Sequence, residues 1–186
     1  YKLTLACIML AAVLFVWNAH AQLANIRHYL PLVISNMIAG PIVPPPDAAS
    51  ARLQVPTGFA VRIYASGLKS PRLMASGPDG ALYVAERGNN RIVRLADVNN
   101  DGLADTVQEV ATGLSSPHSV DWYQGALYVA ETASTGRVTR FNDTNGDGDF
   151  LDNGEKQVIT TNIPGSGGHS SRTAHIGPDG KLYVSV

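Results

Sequence analysis

One phrase recurs along this chain and restricts what it can fold into. Gly77-Pro-Asp-Gly-Ala-Leu-Tyr-Val-Ala-Glu86 returns in degenerate form as Tyr123-Gln-Gly-Ala-Leu-Tyr-Val-Ala-Glu131. It comes a third time as Gly177-Pro-Asp-Gly-Lys-Leu-Tyr-Val-Ser-Val186. Each copy joins a turn to a strand: in the first and third, proline presets φ in the turn, in all three glycine takes up the geometry at its end, and the residues behind it suit a half-buried strand. Short strand patterns surround the copies in one order. Residues 72–76, 81–86, 91–95 and 106–111 make a first cycle, and 118–122, 126–131, 136–141 and 156–160 a second. Residues 172–176 and 181–186 begin a third. Gly80 to Gly125 is 45 residues and Gly125 to Gly180 is 55. Four short strands in a repeat of that length, with no amphipathic helix, predict an all-β chain folded as β-propeller blades.

A blade cannot bury both faces alone, and two and a half blades do not close a ring. Residues 59–65 alternate apolar and other side chains and read as one more strand. It could complete the last blade by pairing with strands beyond this sequence. The chain opens on Tyr1 and stops inside a strand pattern, so it reads as the N-terminal part of a protein at least roughly twice as long.

The segments ahead of the repeats are of two kinds. Residues 1–21 have the form of an export signal: Lys2, an apolar run from Leu3 to Trp17, then Ala19-His20-Ala21 before Gln22. The apolar run is shorter than the roughly 20 residues a spanning helix needs, so cleavage after Ala21 is expected in place of an uncleaved anchor. Residues 22–56 lack a period and carry Pro41, Pro44, Pro45 and Pro46, as an extended tether does. The propeller portion is then 57–186. Cys7, the sole cysteine, falls in the signal, so the mature chain has no disulfide framework. A net charge of −1 points to neither nucleic acid nor an anionic membrane surface. An exported chain without a stable membrane span, periplasmic or extracellular, is the expectation.

Two loops are rich in oxygen ligands. Asp97, Asn99, Asp101 and Asp105 surround Gly102, and Asp143, Asn145, Asp147, Asp149 and Asp152 surround Gly148. Oxygen side chains at alternate positions with a turn glycine suit Ca²⁺. The twelfth positions are Gln108 and Gly154 instead of Glu, and strands flank the loops, so neither is a full EF-hand. A solvated hairpin without an ion is the plainer alternative. In either case the loops read as structural pins.

His169 is the sharper candidate. It stands among Gly165, Gly167 and Gly168, just ahead of what should be the innermost strand of its blade. Loops at that end of a propeller line the mouth of its channel. An imidazole there can act as a general base, and Arg172 can hold an anionic cofactor or stabilise negative charge. Taken alone, these residues are explained more simply by a capped loop and a surface ion pair. Glu86 and Glu131 end equivalent strands and suggest a structural role. His175, within a strand, is expected to be buried and hydrogen-bonded. No G-x-S-x-G elbow accompanies Ser170 and Ser171, which argues against a hydrolase.

Gly67-Leu-x-x-Pro71 leading to Gly77-Pro-Asp-Gly80-x-Leu-Tyr-Val-x-Glu86, Gly113-Leu-x-x-Pro117-His118, and His169 eight residues before Gly177-Pro-Asp-Gly180 together resemble the glucose/sorbosone dehydrogenase family. The resemblance spans about 54–186. It implies a six-bladed propeller, pyrroloquinoline quinone (PQQ) with Ca²⁺, and His169 as the base that removes the hydroxyl proton of a sugar or related alcohol or aldehyde. An unidentified electron acceptor completes that picture. The glucose-specific branch has Asp before this histidine and Arg four residues after it. Here Gly168 precedes it and Arg172 follows at three, which is closer to the sorbosone-type branch. Most of the family's cofactor contacts lie in later blades, so this part alone is expected to be inactive. The competing expectation is a non-catalytic, calcium-stabilised extracellular propeller that binds partners. A calcium-dependent lactonase ranks behind both, since the Asp loops sit at blade connections.

Overall fold

The computed structural model describes residues 47, 52–132, 135–164 and 171–186. The chain divides into two compact units, Tyr1–Pro45 and Pro46–Val186, and every described residue belongs to the second. The export signal, most of the tether and His169 therefore lie outside the described residues. No helix among the described residues is long and apolar enough to cross a membrane.

Among the described residues ten strands carry the fold. β1 (Pro71–Ser76), β2 (Leu82–Glu86), β3 (Arg91–Ala96) and β4 (Thr106–Ala111) form one sheet in that order. β5 (Pro117–Tyr123), β6 (Ala126–Glu131), β7 (Thr135–Asn142) and β8 (Lys156–Pro164) form a second, and β9 (Thr173–Ile176) pairs with β10 (Leu182–Ser185) in a third. All pairs are antiparallel and sequence neighbours are sheet neighbours, the up-and-down meander of a propeller blade. The architecture is that of a partial β-propeller.

The repeated Leu-Tyr-Val fixes both register and orientation. Val84, Val129 and Val184 stand opposite Met74, Val120 and Ala174 of their inner strands. Because side chains alternate between faces, Leu and Val of each copy turn toward the preceding blade and Tyr toward the following one. Leu127 and Val129 thus pack with Tyr83, Ala85 and Ile92 of the first blade. Leu182 and Val184 pack against Ala130 and Val138 of the second. Trp122 meets Tyr83 edge to face, with centroids 4.8 Å apart. The first glycine of Gly-Pro-Asp-Gly serves the same tyrosine: a Cβ on Gly77 or Gly177 would collide with the ring of Tyr83 or Tyr183.

Two expectations need correction. Residues 59–65 do not form a strand. The period-two pattern is real, but no sheet edge pairs with it. The segment instead lies on the face of blade one that blade two leaves open, with Tyr64, Ala65 and Leu68 packed on Val84, Val93 and Leu95. Its anchors are the Ala104 N–H donating to the Tyr64 carbonyl at 2.9 Å and Arg62 Nη1 donating to the Asp101 carbonyl at 3.0 Å. The last strand of the second blade, in turn, runs on to Pro164 instead of ending near 160.

Candidate functional site at the inner rim

The meander puts the starts of β1, β5 and β9 at one end of the blades, together with the β2–β3 and β6–β7 connections. The Gly-Pro-Asp-Gly turns and both Asp loops fall at the other end. The first of these ends is the rim, and it is held by the two recurring glutamates. Glu86 Oε1 accepts the Lys69 N–H at 2.6 Å and the Asn89 amide at 2.8 Å, and Arg91 pairs with Oε2. Glu131 repeats the pattern, accepting from the Ser115 N–H, from Arg137 at 2.7 Å and from the Thr139 hydroxyl at 2.6 Å. Both carboxylates are fully buried. Burial opposes the ionisation of Glu86, but the Lys69 N–H, the Arg91 guanidinium and the Asn89 amide outweigh it. Its carboxyl therefore sits below the usual glutamate range. The structural role expected of this pair is the one seen.

Arg72, His118 and Arg172 occupy the same position at the starts of three successive inner strands. His118 ties them together: its Nδ1–H donates to the Arg172 carbonyl at 3.1 Å while Nε2 lies 3.3 Å from Arg72 Nη2. Those two contacts select the neutral ring with its proton on Nδ1. Burial lowers the His118 pKa; the Arg172 carbonyl works against that, and the charges of Arg72 and Arg87 add to it. Arg72 is exposed, and among the described residues no carboxylate lies within ion-pair distance of Arg72 or Arg87. Arg172 is 1% exposed, and its Nη1 donates to the Ser171 carbonyl at 2.9 Å.

The inner strand of each blade has a free edge, and β5 uses side chains to satisfy that of β9. Ser119 Oγ accepts the Ala174 N–H at 2.9 Å, and Asp121 Oδ2 accepts the Ile176 N–H at 2.7 Å. The same Asp121 oxygen lies 2.9 Å from His175 Nδ1. The expectation of a buried, hydrogen-bonded His175 is not met: the ring lies at ion-pair distance from Asp121, on the β9 face that turns away from blade two and that no described strand covers, with its side chain 73% exposed. The sequence signal for this seam was Pro117-His-Ser-Val-Asp121, a run with three polar side chains inside a strand.

The Asp loops lie at the opposite end. In the first, Asp97 accepts the N–H groups of Asp101 and Gly102, and Asp105 accepts those of Val98 and Asn99. In the second, Asp143 accepts from Gly146 and Gly148, Asp147 from Asp149, and Asp149 from Leu151. The Asn145 amide brings Asp147 and Asp152 together at 2.9 and 2.6 Å. Among the described residues no group of three or more His, Cys, Asp or Glu side chains converges as a metal site. Sequence counting stopped at position 12 and missed Glu155, one residue on. Glu155 is fully buried and accepts from the Thr144 N–H at 2.7 Å and the Thr144 hydroxyl at 3.1 Å. A groove of about 390 Å³ opens between this loop and the first turn, lined in part by Asp79, Arg94, Trp122 and Asp143.

Fold and site together define a propeller-blade chain whose inner rim carries a guanidinium–imidazole cluster. Its residues 45–186 match the family model described as "Domain of unknown function (DUF7133)". The chain belongs to that family. Among curated proteins none matches in sequence. Solved structures do match. A carbohydrate-active enzyme of family AA12 from Trichoderma reesei aligns with TM-score 0.54 and 19% identity, over 67% of this chain and 31% of its own. The PQQ domain of pyranose dehydrogenase from Coprinopsis cinerea, in its holo form, aligns with TM-score 0.52 and 16% identity over 62% and 27%. The PQQ-bound aldose sugar dehydrogenase of Streptomyces coelicolor aligns at 0.49 and 21%, over 66% and 39%. At these identities the likeness is one of fold. The chain spans about a third of the length of these structures.

Proposed function

We propose that this chain is part of an exported, PQQ-dependent oxidoreductase that oxidises a sugar or a related alcohol or aldehyde. Its supporting observation is the rim. Arg72, His118 and Arg172 head three consecutive inner strands, and His169 precedes Arg172 by three residues. The fold is shared with the PQQ domain of the Coprinopsis pyranose dehydrogenase.

The residues present fit an anionic quinone. Arg72 and Arg87 offer guanidinium groups that no described carboxylate neutralises. They would hold carboxylates of PQQ, with Arg172 adding positive charge at the base of the same rim. When bound, PQQ supplies a two-electron acceptor. His169 takes the proton of the substrate hydroxyl as general base. His118, kept neutral by its two contacts, holds the backbone at Arg172. Calcium belongs to the proposal as a pin in the Asp loops: all their donors are hard oxygens, and Asp147 and Asp152 already meet at one amide group.

The test is reconstitution of the full-length protein with PQQ and Ca²⁺, followed by dye reduction over a panel of aldoses and alcohols. Turnover of at least one is expected. Tight PQQ binding without turnover, or no PQQ binding, would leave the non-catalytic binding propeller as the better account; the enclosure of Arg172 favours that second reading.

A further inference from the structure

We infer that the groove between the first two blades, at the end opposite the rim, binds a neutral oligosaccharide of at least two linked sugar residues. Both blades that wall it have all four strands. Beyond the space of about 390 Å³ beside Asp79 and Arg94, a second of about 270 Å³ lies against Ser76, Tyr123 and Gln124. The two share Pro78, Trp122 and Gly125 as a common border, so they adjoin at the indole. A Cβ on Gly125 would meet nothing, and one on Gly180 would stand 2.9 Å from the Tyr123 hydroxyl. The passage is therefore open at its middle, and its far end reaches the turn of the third blade.

The lining selects the ligand. A sugar ring offers apolar C–H faces together with hydroxyls that both donate and accept. Trp122, fixed by Tyr83 at 4.8 Å and Phe150 at 6.0 Å between centroids, gives a preorganised apolar border. Its Nε1 is enclosed with no hydrogen-bond partner among the described residues, so the ring offers surface and not a donor. Around it stand acceptor-only Asp79, donor-only Arg94, and the Gln108 and Gln124 amides, which do both. Arg94 neutralises Asp79 at 2.6 Å, and the carboxylates of Asp143 and Asp147 border the same space, which disfavours phosphate and sulfate esters. The first turn bonds internally, Gly77 N–H to the Ala81 carbonyl at 2.8 Å and Gly80 N–H to the Gly77 carbonyl at 3.1 Å. It offers no strand edge for a peptide to join.

The repeat itself does not call for the indole. Ser76, Trp122 and Ile176 stand opposite Leu82, Leu127 and Leu182, so they are one position in three blades. Of the three, only the residue that borders both spaces is aromatic. Pockets of about 300–1,000 Å³ suit small-molecule ligands, and two adjoining spaces fit linked rings in place of one. Such a site holds the protein to a glycan and leaves the rim free. It does not rest on the dehydrogenase reading.

The test titrates the full-length protein, without PQQ, with cello-, xylo-, manno- and malto-hexaose while its indole ¹H–¹⁵N resonances are followed. The Trp122 signal is the one that Trp122→Phe deletes. At least one hexasaccharide should move it with a Kd below about 1 mM. Gln108→Ala, a change at an exposed side chain, should raise that Kd about three- to tenfold. In the PQQ-loaded protein the same variant should reduce dye with a monosaccharide as the parent does. Absence of hexasaccharide binding, binding that leaves the Trp122 resonance in place, a Kd indifferent to Gln108→Ala, or loss of dye reduction in that variant would each overturn the inference. A parent protein that reduces no dye sinks the dehydrogenase reading alone; the Trp122 shift still decides the groove.

Discussion

Glu86 and Glu131 show how single side chains hold the segment entering a blade to that blade. Each buried carboxylate accepts a backbone N–H two residues ahead of its own blade's inner strand and pairs with an arginine on the adjacent strand. Removing one leaves buried donors unpaired, so Glu131→Ala should cost about 3 kcal/mol in urea unfolding. A loss below about 1 kcal/mol would mean that water replaces the carboxylate. The third copy has Val186 at this position. Acid sensitivity also belongs to this scale. The lowered pKa of Glu86 makes its contribution complete above the ordinary glutamate value of about 4.3 and lost as pH falls below it. His118 acts in a higher window. It is kept neutral in the fold, so protonation of the unfolded chain draws stability away as pH drops below about 6.5. Urea midpoints measured across that range should fall in the parent and stay flatter in His118→Gln; parallel curves would contradict the assignment.

Among the elements, the loop between β7 and β8 carries the most structural consequence. It returns across the seam to bond Phe150 N–H to the Val110 carbonyl at 2.8 Å and to set the Phe150 ring 5.9 Å from Phe141 and 6.0 Å from Trp122. Phe150→Ala should therefore cost about 3–5 kcal/mol, as a buried aromatic does. Calcium, if held as proposed, raises the melting temperature, and Asp147→Asn removes the increase; chelation without any shift would mean the loops hold no ion. These elements also mark what the sequence can and cannot say. Leu-Tyr-Val told the blades apart because period two reports which side chains share a face. The same period misled at 59–65: the in-phase Phe59 and Ile63 are exposed, while the out-of-phase Tyr64 packs on the open face of blade one. Glu155 escaped because an EF-hand template fixes attention on its twelfth position. His175 is exposed because no described strand packs on its face of β9, the face that in the first blade is covered at Tyr83. His169 lies outside the described residues, so its reading still rests on the spacing to Gly177-Pro-Asp-Gly180.

At the scale of the molecule, the carboxylates Asp79 and Asp179 at the turn end of the blades are paired with Arg94 and Lys181, and Glu86 and Glu131 at the rim with Arg91 and Arg137. Among the described residues no carboxylate pairs with Arg72 or Arg87 at the rim. The family to which the chain belongs carries no assigned activity in its description, so catalysis must be established at the rim itself. The most direct measurement is the steady-state kcat of the complete, PQQ- and calcium-loaded protein against its His169→Ala variant, with bound PQQ quantified in both. The account predicts equal PQQ occupancy and a kcat lowered at least about a hundredfold. Equal turnover in the two proteins would contradict it.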